Sequence, residues 1–168
     1  NPSKVRRPTN AWDMSSDGRL MLGGGNTQDL FTLDFEARAE RLLAKKAQRP
    51  ILSPAFSHDI RWIAMHVWIT EFSRQIYVFP FREKKETQQE EWIAITDGKG
   101  LDRDPEWSPD GNLLYWQTDR DGFRCYMAQK LDPVTKKPVG APFFVQHFHD
   151  PSRSLLFLPT WRKTSLPS

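Results

Sequence analysis

The chain has 168 residues, a formal net charge of +3, 27% charged and 38% hydrophobic side chains, the balance of an ordinary soluble domain. Its basic residues do not form a phosphate-binding stripe, because Arg38 to Arg49 also carries Glu40 and Lys84-Lys85 is flanked by Glu83 and Glu86, so nucleic acid is not expected as a partner. No apolar run approaches the ~20 residues that span a bilayer, and seven Trp and eleven Phe among thirteen Pro and nine Gly point to many short strands rather than a few long helices.

In chain order, Asn1 to Asn10 reads as a loose, polar lead-in with Pro2 and Pro8. Trp12 to Met14, Leu20 to Gly23 and Leu30 to Leu33 read as successive strands, with Gly23-Gly24-Gly25-Asn26 as a flexible hairpin. That glycine run is not a phosphate cradle, since no helix opens after it and no Gly-Lys-Ser/Thr follows. Phe35 to Gln48 is rich in strong helix formers, yet Arg41-Leu42-Leu43-Ala44 falls where a fourth, outer strand belongs, and the repeat takes precedence over local propensity. Pro54-Ala55-Phe56, Ile63 to Ile69 and Gln75 to Phe81 are the next strands, with Glu71 to Arg74 as a hairpin. Arg82 to Glu91 is a charged loop, and Trp92 to Thr96 an outer strand.

The third set is the clearest. Pro105-Glu106-Trp107 is extended, because a residue beside proline is pushed out of the helical region. Ser108-Pro109-Asp110-Gly111 is a tight turn: Pro109 pre-sets φ, Asp110 bonds its own backbone, and Gly111 accepts positive φ. Leu113 to Gln117 is a strand, Thr118-Asp119-Arg120-Asp121-Gly122 a second turn, and Phe123 to Leu131 an alternating strand. Asp132 to Pro142 reads as a long polar excursion, Phe143 to Phe148 as the outer strand, and Pro159-Thr160-Trp161 as the opening of another set.

These sets recur. Pro54-Ala55-Phe56-Ser57-His58-Asp59 lies 51 residues before Pro105 to Asp110, and Ser15-Ser16-Asp17-Gly18 lies 42 residues before Ser57. Short strands repeating at about 40–50 residues are the signature of β-propeller blades. The expected architecture is all-β: a partial propeller of three four-stranded antiparallel blades, at about 11–47, 51–96 and 104–148, with 149–168 as a tail or the start of a further blade. Phe56 and Trp107 are expected at equivalent, buried places between adjacent sheets.

The run Pro105 to Leu131 resembles the TolB-like, WD-type propeller repeat, with its Pro-x-Trp-Ser-Pro-Asp-Gly opening and its Ser/Thr-Asp-Arg-Asp-Gly turn. The repeat residues that carry the resemblance are Ser15, Asp17 and Gly18; Pro54, Phe56, Ser57 and Asp59; Pro105, Trp107, Ser108, Pro109, Asp110 and Gly111; and Asp119, Asp121 and Gly122. The second copy is expected to lose the turn chemistry, with His58 and Ile60 where the third has Pro109 and Gly111; the first has Met14 in place of Trp. The resemblance covers roughly residues 10–148. It implies a non-catalytic platform for a protein or peptide at the axial mouth, and a periplasmic location. The residues themselves leave the compartment open, since Cys125 is alone and no disulfide can form within the chain.

For chemistry the sequence offers little. There is no Gly-x-Ser-x-Gly, His-Glu-x-x-His, Cys-x-x-Cys or Gly-x-Gly-x-x-Gly, so no catalytic residue and no cofactor is assigned. His147 and His149 alternate on one strand with Asp150 beside them, but plain surface histidines are the expectation. Asp102-Arg103-Asp104 and Asp119 to Gly122 look like calcium-loop fragments without the later Glu, and a turn explains them. Two roles stay open: an interaction platform, or the accessory propeller of a larger enzyme or sensor, such as a prolyl-oligopeptidase-like hydrolase or a signalling kinase. The chain opens with Asn1 rather than Met and stops within a repeat. It is therefore expected to be part of a longer propeller, its partners being the remaining blades or copies of itself.

Overall fold

The computed structural model describes residues 10–24, 29–45 and 49–146, and these form twelve strands and one 3-10 turn. The strands are β1 (Asn10–Met14), β2 (Leu20–Gly24), β3 (Asp29–Asp34), β4 (Ala39–Lys45), β5 (Ile51–Phe56), β6 (Trp62–Thr70), β7 (Ser73–Pro80), β8 (Ile93–Ala94), β9 (Arg103–Trp107), β10 (Leu113–Thr118), β11 (Cys125–Leu131) and β12 (Pro138–Gln146). They pair in sequence order into three four-stranded antiparallel sheets, β1–β4, β5–β8 and β9–β12. Each sheet is a blade. The first strands β1, β5 and β9 pack side by side, while the outer strands β4, β8 and β12 make no comparable contact from blade to blade. The blades therefore converge on their first strands.

The middle blade is buried on both faces, and β6 is correspondingly apolar along most of its length. Ile63, Met65 and Val67 point towards the first blade and join Leu20, Leu22, Leu30 and Leu43 in one core. Ala64, Ile76 and Val78 point the other way and join Leu114, Trp116, Met127 and Leu131 in a second. Alternation along β6 thus serves two cores from one strand.

Turn chemistry repeats in all three blades. At the end of each first strand a Ser hydroxyl donates to the Asp two residues on: Ser15 to Asp17 at 2.5 Å, Ser57 to Asp59 at 2.6 Å and Ser108 to Asp110 at 2.5 Å. The same hydroxyl accepts the backbone N–H that starts the second strand, from Leu20, Trp62 or Leu113. The expected loss of this turn in the second copy is therefore incorrect. Ile60 takes φ 58°, beside 74° at Gly18 and 68° at Gly111, and its N–H still reaches the Ser57 carbonyl at 2.9 Å. Three hydrogen bonds outweigh the left-handed strain of ~1–2 kcal/mol. Ile60→Gly relieves that strain but loses the partial packing of Ile60 on the first core. Its unfolding free energy should stay within about 1 kcal/mol of the parent in urea titration, far from the loss of several kcal/mol that a core Ile truncation brings.

Phe35 to Gln48 is not helical where it is described: Phe35 to Arg38 turns, and β4 follows. Asp34 accepts the N–H of Glu36 and Ala37, and Arg38 closes the turn at φ 50°. The third blade builds the same turn at Asp132, which accepts from Val134 and Thr135, with Lys136 at φ 55°. Asp132 to Pro142 is accordingly a tight turn and the start of β12, not a long excursion. Gln129 holds that strand, its buried amide donating to the Val139 and Gly140 carbonyls.

Other boundaries shift as well. Asn10, Gly23 and Gly24 are strand residues, and β8 covers only Ile93–Ala94 of the expected Trp92 to Thr96. Arg82 to Glu91 is no free surface loop: Thr87 donates to the Leu43 carbonyl at 2.7 Å, and Glu83 is bonded by Arg19 and, through its carbonyl, by Arg41. It straps the second blade to the outer strand of the first. The lead-in before Asn10, His147, His149, Asp150 and the repeat at Pro159 to Trp161 lie outside the described residues.

Phe56 and Trp107 stand at equivalent registers, opposite Ile63 and Leu114. Phe56 is buried and meets Phe81 edge-on at 5.3 Å, whereas Trp107 is only half-buried, its indole N–H donating to the Ala55 carbonyl at 3.2 Å. The expectation of equal burial is corrected because Trp107 lies at the margin of its core, with Trp62 and Ile93. Phe56→Ala should cost about 3–5 kcal/mol and Trp107→Ala about half of that, measured by urea unfolding.

Candidate functional site

The repeat residues Ser15, Asp17, Gly18, Ser57, Asp59, Ser108, Pro109, Asp110 and Gly111 all sit at the blade end where first strands turn into second strands, and their polar atoms serve the turns. Asp17 and Asp110 are held below the usual carboxylate range by the Ser hydroxyls they accept. Pro54 and Pro105 are buried in β5 and β9, each beside a β-bulge. Asp119, Asp121 and Gly122 form the β10–β11 turn, closed by Gly122 N–H to the Asp119 carbonyl at 2.9 Å. The calcium-loop alternative for these aspartates is met by protein donors instead: Asp119 accepts Leu101 N–H, Asp121 accepts Phe123 N–H, and Asp104 accepts the Ser53 hydroxyl. Among the described residues no three His, Cys, Asp or Glu side chains converge as a metal site, and no helix is long and apolar enough to cross a membrane.

Asp102 is the structural centre of the opposite end of the blades, where β9 begins and β10 turns into β11. It is fully buried and its Oδ1 accepts from the Trp116 indole at 3.2 Å, the Thr118 hydroxyl at 2.8 Å and Arg120 Nε at 3.2 Å, while Oδ2 takes Arg120 Nη2 at 2.5 Å. Arg120 also bonds Asp97, and this shared hydrogen bonding raises the guanidinium pKa and lowers that of Asp97. Arg120 passes over Gly100 so closely that a Cβ there would meet its Cγ at 2.8 Å, so a side chain at 100 would displace Arg120. The turn after β10 thereby latches the link between the second and third blades.

At the same end lies a group that sequence reading did not single out. β6 leaves and β7 begins there, through Glu71 and Phe72, and β9 enters there at Arg103. Trp68 and Arg74 are directly paired across β6 and β7, and the guanidinium carbon of Arg74 lies 4.6 Å from the indole centroid. Phe72 is 77% exposed at the hairpin tip. Beneath them His66 is buried, its Nδ1 accepting Asp104 N–H at 3.3 Å from the bulge of β9. Burial, and then the charges of Arg74 and Arg103, push the His66 pKa down to about 3, so the imidazole is neutral. Burial and then Arg103 also lower the pKa of Arg74, against the pull of Asp104 and Asp119. Neither arginine forms an ion pair among the described residues, and the Arg103 Nε and Trp68 Nε1 hydrogens are buried with no acceptor. In the sequence Phe72 and Arg74 belong to a hairpin and Arg103 to a turn-like acidic run, and only the register brings them together with Trp68. Aromatic and arginine side chains are the composition of binding hot spots.

No protein-family model matches the chain, and a comparison with curated proteins returns no match. Solved structures do match. TolB from Agrobacterium tumefaciens, described as putative, is 18% identical with a TM-score of 0.60, over 83% of this chain and 50% of that one. TolB from Acinetobacter baumannii is 15% identical with a TM-score of 0.58, over 70% of this chain and 28% of its own. The tricorn protease is 16% identical with a TM-score of 0.59, over 74% of this chain and 14% of its own. The chain spans half the length or less of these proteins. In fold, it is three consecutive blades of a TolB-like β-propeller.

Proposed function

We propose that the chain is a non-catalytic β-propeller module that binds a protein or peptide partner, and that it acts within a larger propeller. The observation that carries this reading is the group formed by Trp68, Phe72, Arg74 and Arg103 at the blade end where the first strands begin, where an exposed aromatic stands near two arginines that form no ion pair among the described residues. Propellers leave their first strands and end loops free for ligands while the sheet faces are consumed by blade packing. Panning a random peptide display library against the immobilised chain tests the proposal. Enriched peptides should lose binding to Phe72→Ala and Trp68→Ala variants that still melt cooperatively. No enrichment, or enrichment indifferent to both substitutions, would refute it.

A second reading has one observation in its favour: the chain matches a small part, 14%, of the tricorn protease, so a propeller of this kind does occur within a protease chain. There it would be accessory to a catalytic domain. A hydrolase elbow or kinase motifs in the same open reading frame would favour that role, and a reading frame holding propeller repeats alone would favour the platform.

A further inference from the structure

We propose that two copies of the three-bladed chain close into one six-bladed ring, the third blade of each packing on the first blade of the other; this rests on the reading that the blades act within a larger propeller. The blades stack in one direction, so their two outermost faces differ, one before the first blade and one after the third. Propellers close with roughly four to eight blades. Three blades fall short of that, two copies of three bring six, and three copies would bring nine. Pairing unlike faces about a twofold axis makes two identical joints. The second joint forms within the pair and loses no further translational freedom, so a ring of two is favoured over an open stack.

Side-chain size says which faces meet. On the second strand of each blade, the residue paired with Asp13, Ala55 or Glu106 is on the face towards the following blade: Leu22, Ala64 and Tyr115. The next residue is on the face towards the preceding blade: Gly23, Met65 and Trp116. Leu22 shares the first core with Met65, and small Ala64 shares the second core with large Trp116. The two members left over are Tyr115, only half-buried, and Gly23, which lines a shallow recess with Phe31 and Leu33. The largest side chain of the first series is thus left with the smallest of the second, as a close-packed joint between a third blade and a first blade requires. The backbone repeats the match. Phe56 N–H donates to Asp13 across the first joint at 2.9 Å, and the corresponding registers at the outermost faces hold Met14 and Glu106.

The test is the light-scattering mass of the full chain over a wide range of concentrations. The mass should rise from one chain to two and stop there, because a closed ring has no face left to offer. Tyr115→Glu should stay at one chain throughout and still melt cooperatively, since Tyr115 lies outside both cores. Gly23→Leu fills the recess and should weaken the dimer at least about tenfold, the scale of overpacking at a close joint. Adding Tyr115→Ala to Gly23→Leu should recover most of that loss. Such coupling reports a contact between copies, because residues 23 and 115 stand in the first and third blades of one chain, with the second between them. If Gly23→Leu melts without cooperativity, Phe31→Glu tests the same face, and a dimer indifferent to it overturns the proposal. Growth beyond two chains overturns the closure. So does a dimer that survives Tyr115→Glu, or additive effects of the two substitutions. A monomer at every concentration overturns it as well, and peptide panning then decides the platform reading separately.

Discussion

Asp102→Ala should destabilise the protein by about 3–5 kcal/mol in urea unfolding, the range for breaking a buried, hydrogen-bonded ion pair. The substitution strips acceptors from three side chains at once: the Trp116 indole and the Thr118 hydroxyl, both buried, and Arg120. Among the described residues Trp116 is the largest fully buried side chain, so its indole hydrogen has no water to turn to. Asp102→Asn keeps one carbonyl oxygen for the indole and hydroxyl and should cost less. If Asp102→Ala unfolds within 1 kcal/mol of the parent, the latch between the second and third blades carries no energy.

His66 should give the protein an acid-labile step that begins near neutrality. Its folded pKa of about 3 lies below the ordinary 6.5, so between these values the unfolded chain binds a proton that the folded one does not. The stabilisation is complete above pH 6.5 and falls with pH by about 1.4 kcal/mol per unit until the folded pKa is reached. Two units of acidification below 6.5 should therefore cost about 3 kcal/mol. Protonation there would place a charge beside Arg74 and Arg103, only partly offset by Asp104, and would remove the acceptor for Asp104 N–H. His66→Asn keeps an acceptor oxygen and does not titrate. From pH 6.5 to 4.5 its stability should fall by about 3 kcal/mol less than the parent's, the remaining decline being that of the carboxylates. Parallel profiles would show that His66 is solvated or already charged in the folded state.

The fold was legible where its signals are local. Ser-x-Asp-Gly recurs because one hydroxyl and one carboxylate satisfy the same backbone donors in each blade, so the pattern stands out at Ser15, Ser57 and Ser108. The outer strand β4 was legible only through the repeat, against the helix-forming composition of Phe35 to Gln48. A second shared turn has no signature in the repeat: Phe35 to Arg38 falls in a helix-forming stretch and Asp132 to Lys136 in a polar one, although both turns use an Asp that caps two N–H groups before a left-handed basic residue. Ile60 carries no turn signature because the Ser57–Asp59 network, not residue type, decides that turn. The candidate site was not legible at all. Trp68, Arg74 and Arg103 are set by β6–β7 register and by the packing of β9 on the second blade, and neither has a local signature.

The central claim is that these are stacked propeller blades whose outermost faces are left for further blades or copies to cover. Met21, Phe31, Leu33 and Leu42 on the first blade, and Leu113, Tyr115 and Phe143 on the third, stay outside both cores and are part-buried or exposed. Even ~400 Å² of such surface at one end withholds roughly 10 kcal/mol of apolar burial at about 25 cal/mol per Å², comparable with the whole stability of a domain. Sedimentation of the purified chain across a range of concentrations measures this directly. The account predicts concentration-dependent association of the chain, suppressed when neighbouring blades are supplied. A monodisperse, cooperatively melting monomer at high concentration would contradict it.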